Sequence, residues 1–205
     1  MANPRHTAIV RITHWITTLC FLALLVTGIE IVISHPRFYW GETGNVNTAP
    51  LFKIPIPASR DTVPTGYAYV LPDQNGWSRY LHFQSAWAVV LTGLIYLVYG
   101  LLTNHFGKRL LRDTSDYNAL QRATYLFVIF ILFPLVIWTG LAMSPAIASV
   151  FPFVVTSLGG QQSARTIHFF DSLFLLVFLV GHVVMVYRAG FRSRMRAMIT
   201  GKEQA

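Results

Sequence analysis

Residues 165–188 read RTIHFFDSLFLLVFLVGHVVMVYR, a nearly unbroken apolar run with a histidine near each end, His168 and His182. A helix needs about 20 mostly apolar residues to cross roughly 30 Å of hydrocarbon, and Ile167 to Arg188 meets that length. At about 100° and 1.5 Å per residue, the spacing from His168 to His182 returns to within roughly 40° of one face, about 21 Å further along the axis. One spanning helix thus presents two ionisable rings at two depths, and such groups are costly in lipid unless they serve a function.

Three other segments have the same character: Ile12 to Ser34, Leu81 to Leu102 and Ala123 to Met143. The expected fold class is all-α, an integral membrane four-helix bundle forming one domain over residues 1–205. The composition agrees, with 54% hydrophobic and 12% charged residues and a mean hydropathy of +0.50, a balance unsuited to a soluble domain. The first apolar stretch is long and has no short cleavable-signal pattern, so it is expected to stay as a span. Pro134 lies inside the third span, where neighbouring helices can compensate for its missing donor, and a kink is expected there.

Sixteen Lys and Arg against eight Asp and Glu give a net charge of +8. The basic residues border apolar runs and do not form aromatic-interleaved patches, which argues against nucleic acid and for a topology signal. With four spans both termini share one side. That side collects Arg5, Arg11, Lys108, Arg109, Arg112, Arg122, Arg188, Arg192, Arg194, Arg196 and Lys202, whereas Arg37, Lys53, Arg60, Arg79 and Arg165 lie opposite. The termini are therefore expected in the cytoplasm, with the chain a multi-pass membrane protein in contact with lipid. Residues His35 to Ser78 form a long outer segment in which Pro50, Pro55, Pro57, Pro64 and Pro72 disfavour regular helix; it reads as a loop, a cap or a docking surface. Its aromatic residues Phe38, Tyr39, Trp40, Tyr67, Tyr69 and Trp77 suit the headgroup level or a cover over a site beneath.

Four histidines sit just inside span ends. His14 and His182 fall at the level of the termini, His82 and His168 at the outer level, so the topology brings them together as two cross-helix pairs. Two bis-histidine haems fit that arrangement. Three of the four share a local pattern, Arg11-Ile12-Thr13-His14, Arg79-Tyr80-Leu81-His82 and Arg165-Thr166-Ile167-His168, with the arginine one turn toward water on the same face. A guanidinium there suits a haem propionate, and Arg188 is the counterpart for His182. Gly28 and Gly93 lie where a small residue admits a large group close to the helix, each facing the other haem. Each feature alone has a plainer reading, the histidine as an interhelical hydrogen-bond partner and the arginine as an interfacial anchor. A zinc or copper site is the other chemical reading, but it wants three or four ligands at one depth, whereas these residues divide into pairs. Cys20, the only cysteine, offers no disulfide, CxxC motif or covalent CxxCH haem site.

The stretches RITHW (11–15), RYLHF (79–83), YNALQ (117–121) and 165–182 resemble the prokaryotic di-haem cytochrome b family, four-helix subunits that include the b-type cytochromes of nickel-iron hydrogenases, formate dehydrogenases and thiosulfate reductases. The resemblance covers essentially the whole chain. HPRFYWG (35–41) and GGQQSARTIHF (159–169) look most like subunits that accompany molybdopterin-dependent oxidoreductases. The resemblance implies two haem b, a periplasmic redox partner of that kind, and quinone as substrate. The quinone site is implied near the cytoplasmic haem, where Asn104, His105, Asn118 and Gln121 supply polar groups, or are simply solvated loop residues. An alternative within the same core is a stand-alone, superoxide-oxidising cytochrome b that reduces quinone; the long outer segment favours a docked partner. Glu30 and Asp171 are carboxylates at or near span ends that could orient a ligand or relay protons. A redox-free anchor would not need level-matched pairs, and a small transporter would show repeats and broken helices.

Overall fold

The computed structural model describes residues 6–45, 47–55, 74–107 and 119–202. Asn118, Tyr67, Tyr69, Arg5, Arg60, Lys108, Arg109 and Arg112 lie outside the described residues. Helix α1 runs Ala8–Ser34 and α2 Gln74–Leu102. The third span is continuous from α3 (Ala119–Phe127) through a π-turn (Val128–Leu132) into α4 (Phe133–Ala142). Short helices α5 (Pro145–Val150) and α6 (Phe153–Thr156) lead to α7 (Gln161–Arg188), and α8 (Phe191–Thr200) closes the described chain. Four of these helical stretches are long and apolar enough to cross a membrane. The 27 residues of α1 give about 40 Å of helix, more than the hydrocarbon thickness.

The spans begin earlier than their apolar runs, because polar first turns such as Ser78–Tyr80 and Gln161–Arg165 extend the helices beyond the hydrocarbon. Threonines inside the spans return their hydroxyl protons to the carbonyl one turn back, as Thr13 does to Ile9 and Thr92 to Ala88, so lipid sees no unpaired donor. The disturbance expected at Pro134 takes the form of the π-turn just before it, in which the Phe133 N–H reaches the Val128 carbonyl. The spans pack as two hairpins, α1 with α2 and α4 with α7. Phe21 of α1 joins them mid-membrane, packing on a cluster of Val128, Leu132 and Leu175.

The start of α1 and helix α8 lie at one end of the bundle, the near end. The indole N–H of Trp15 donates to the Met198 carbonyl at 3.1 Å and Arg11 Nη1 to that of Ile199 at 2.8 Å, which holds α8 under the start of α1. Helix α8 was not foreseen; Gly190 and Gly201, both in the left-handed region, bracket a stretch whose arginines read only as a topology signal.

At the far end the segment after α1 is more ordered than a loop. Arg37–Phe38 pairs antiparallel with Phe52–Lys53, forming strands β1 and β2. The reason is aromatic: the rings of Phe38 and Phe52 stack at 4.7 Å, and Phe38 rests on Phe169 of α7 at 4.5 Å. This segment also caps α7. The Gly41 carbonyl accepts from the N–H groups of Gln162 and Ser163, Ser163 Oγ accepts from the Gly41 N–H at 2.7 Å, and Thr166 Oγ1 donates to the Tyr39 carbonyl. Donors that a helix start leaves unsatisfied are thus met from 120 residues away in sequence, roughly, rather than by a local cap. Gly160 has φ 116, and a Cβ there would run into the Gly41 backbone, so only glycine fits the contact.

Candidate functional site

The four histidines meet as two pairs. His14 of α1 faces His182 of α7 at the near end with ring centres 6.3 Å apart and planes 52° apart. His82 of α2 faces His168 of α7 at the far end, also at 6.3 Å, with planes 58° apart. Each pair joins one helical hairpin to the other, and α7 supplies a ring at both depths, as its spacing requires. A metal at about 2 Å from one nitrogen of each ring, with a ring radius of about 1 Å on either side, sets the centres about 6 Å apart. The equal spacing in both pairs therefore suits a single ion bound by two trans imidazoles. Among the described residues no group of three or more His, Cys, Asp or Glu side chains comes together, so a zinc-type cage is not what these residues build.

The far-end rings are held by threonines that the sequence reading overlooked. Thr27 Oγ1 lies 2.9 Å from His82 Nδ1, and Thr139 Oγ1 lies 2.9 Å from His168 Nδ1. Each threonine is fully buried. Each hydroxyl also sits within reach of its own helix's carbonyl, Ala23 at 2.7 Å and Leu135 at 2.8 Å. A carbonyl only accepts, so when the hydroxyl proton goes there the oxygen is free to accept from Nδ1–H. In that arrangement each ring is the Nδ1–H tautomer and Nε2 has a bare lone pair, the state a metal ligand requires. Beside each threonine stands a glycine: a Cβ at Gly28 would lie 3.8 Å from His82 Cε1, and one at Gly140 3.7 Å from His168 Cε1. A signal was available, since Thr-Gly occurs once in each of the first three spans, at 27–28, 92–93 and 139–140.

The near-end pair is built differently. Its rings are flanked by aromatics, Trp15 against His14 at 5.5 Å, and Phe178 and Tyr125 against His182 at 5.7 and 6.3 Å. The Nδ1 atoms of His14 and His182 are buried without a hydrogen-bond partner among the described residues.

The remaining candidates are scattered around these pairs. Arg165 Nη1 donates to the Arg37 carbonyl at 3.1 Å, Nη2 to that of His35, and the guanidinium lies 4.8 Å from the centre of the Phe38 ring, so it clamps the far-end segment to α7. Arg11 is tied to α8, while Arg79 and Arg188 are exposed at the far and near ends. A Cβ at Gly93 would meet no atom within 4 Å. Gln121 donates to Met185 Sδ at 3.4 Å, one turn from His182. Asn104 (φ 53) and His105 belong to another near-end cluster, in which His105 lies against Tyr99 at 5.8 Å and Tyr96 at 6.1 Å. Asp171 is 2% exposed with neither carboxylate oxygen hydrogen-bonded, and so it does not orient His168 directly.

The family model described as prokaryotic cytochrome b561 matches residues 5–201. A protein of Azospira oryzae, provisionally named as protein-methionine-sulfoxide reductase subunit YedZ1, is 28% identical over 207 aligned residues, covering 88% of this chain and 89% of its own length.

Proposed function

The chain belongs to the prokaryotic cytochrome b561 family, and from that premise we propose that it is a di-haem electron-transfer subunit linking an outer-face oxidoreductase to the membrane quinone pool. Membrane electron transfer and a multi-pass bacterial location follow from the family and the four spans. The finer reading rests on the two histidine pairs with their shared 6.3 Å spacing. His82 and His168 hold one haem b at the far end, and His14 and His182 hold the other at the near end. When bound, each haem supplies the one-electron redox change of its iron.

The protein contributes everything else. Thr27 and Thr139 present bare Nε2 atoms; Gly28, Gly93 and Gly140 let a wide flat group approach the helices. Arg11, Arg79, Arg165 and Arg188 ring the two ends as counter-charges for carboxylates, with Arg79 and Arg188 exposed there. The charge distribution of the sequence supports a cytoplasmic near end, in a bacterial inner membrane. There Gln121, Asn104, His105 and Asn118 provide polar contacts for quinone. The far-end segment, with Trp40 and Glu42 exposed, is the surface for the redox partner. That partner is a molybdopterin-dependent oxidoreductase; the name of the similar Azospira protein, a protein-methionine-sulfoxide reductase subunit, supports one acting on oxidised methionine.

Purified protein is expected to show a dithionite-reducible b-type spectrum with close to two haems per chain, reducible also by a quinol analogue. Well-folded protein that takes up no haem would end this reading. Failure to co-purify an outer-face partner would instead favour the stand-alone alternative.

A further inference from the structure

We infer that Thr27 and Thr139 are positioning residues that set the redox potential of the far-end centre and leave the near-end centre alone. The inference rests on the di-haem reading above and extends it to residues that touch no cofactor.

It comes from an asymmetry between two otherwise matched pairs. At the far end both histidine rings place Nδ1 at 2.9 Å from a threonine oxygen, and each threonine hydroxyl also reaches its own backbone carbonyl, which suits Nδ1–H as the donor to the threonine. At the near end both Nδ1 atoms are buried and have no hydrogen-bond partner among the described residues. The ring spacing is the same and the interplanar angles differ little, so the two pairs differ in what surrounds the rings: threonine oxygens at the far end, aromatic rings at the near end. A ligand that donates a hydrogen bond through Nδ1–H carries more electron density at Nε2 and is the stronger base toward a metal. A stronger base favours the higher-charged, oxidised iron, so the lock lowers the potential of that centre. The relay also fixes ring orientation. Oxygen is the essential atom, since the threonine methyl contributes only packing.

Replacing both residues with valine keeps shape and volume but deletes the threonine acceptors, leaving only the Val136 backbone within reach of His168; replacing both with serine keeps the acceptors but deletes a methyl. The measurement is a spectroelectrochemical titration of the intact protein in detergent, with the far-end signal identified as the one lost in His168→Ala. Thr27→Val/Thr139→Val should retain two haems, with the far-end midpoint shifted upward and the near-end midpoint unmoved. Its ferric electron-paramagnetic-resonance signal from the far end should shift as the rings come free. Thr27→Ser/Thr139→Ser should titrate like wild type. Loss of the far-end haem in the valine protein and its retention in the serine protein would support the same conclusion. Two unmoved midpoints, equal shifts at both centres, or the same defect in valine and serine variants would overturn it. Haem-free wild-type protein would overturn the di-haem reading, which is a separate outcome.

Discussion

Arg165→Gln tests how the far-end segment is fastened to the helix that carries two of the four histidines. The arginine makes two charged hydrogen bonds to the carbonyls of Arg37 and His35 and covers the Phe38 ring. Hydrogen bonds from charged groups contribute about 1.5–3 kcal/mol each. Because this side chain is only partly buried, the lower figure applies to each of the two bonds. The clamp thus holds the segment by about 3 kcal/mol, which corresponds to roughly 100-fold in a local opening equilibrium. Hydrogen–deuterium exchange reads that opening at the amides of Gly41, Leu51, Ile54 and Ser163, all hydrogen-bonded in this region. Their exchange should accelerate roughly 100-fold, while mid-span amides of α1 keep wild-type rates. Arg165→Lys should remain fast, since an ammonium cannot fork between two carbonyls. Exchange in Arg165→Gln within a few-fold of wild type would show that the clamp contributes little and return Arg165 to a role as counter-charge alone.

Two further outcomes follow from contacts at the ends of the bundle. Gly28→Ala places its Cβ at an ordinary 3.8 Å from His82 Cε1 and should keep full haem content, whereas Gly28→Leu drives further atoms toward that ring and should lose about one haem per chain; an intact haem content in the leucine variant would refute the close approach. Trp15→Phe deletes the bond to the Met198 carbonyl, worth about 1 kcal/mol, and should raise exchange in α8 several-fold without touching the far-end amides.

The four spans and the membership of the histidine pairs were legible because apolar length, period and depth are properties of single helices. His168 and His182 on one face fixed two levels, and the alternation of the spans assigned His82 and His14 to them. What escaped depends on contacts between distant segments. The capping of α7 by Gly41, the ring packing of Phe38, Phe52 and Phe169, and the grip of Thr139 on His168 are set by where one helix lies against another. The repeated Thr-Gly dipeptide was visible, but threonine inside a span has a local use, bonding its own helix, which masks the second one. Arg165 shows the converse: its position one turn from His168 was correct, yet its carbonyl partners lie on a segment whose prolines made it look unstructured.

The pairing itself is tested most directly by haem content across single and double histidine variants. His14→Ala and His182→Ala should each lose one and the same haem signal, with the double variant no worse than either, and His82→Ala and His168→Ala should behave likewise for the other signal. Loss of different signals by the two members of a pair, or full haem content after removing any of the four, would contradict the account.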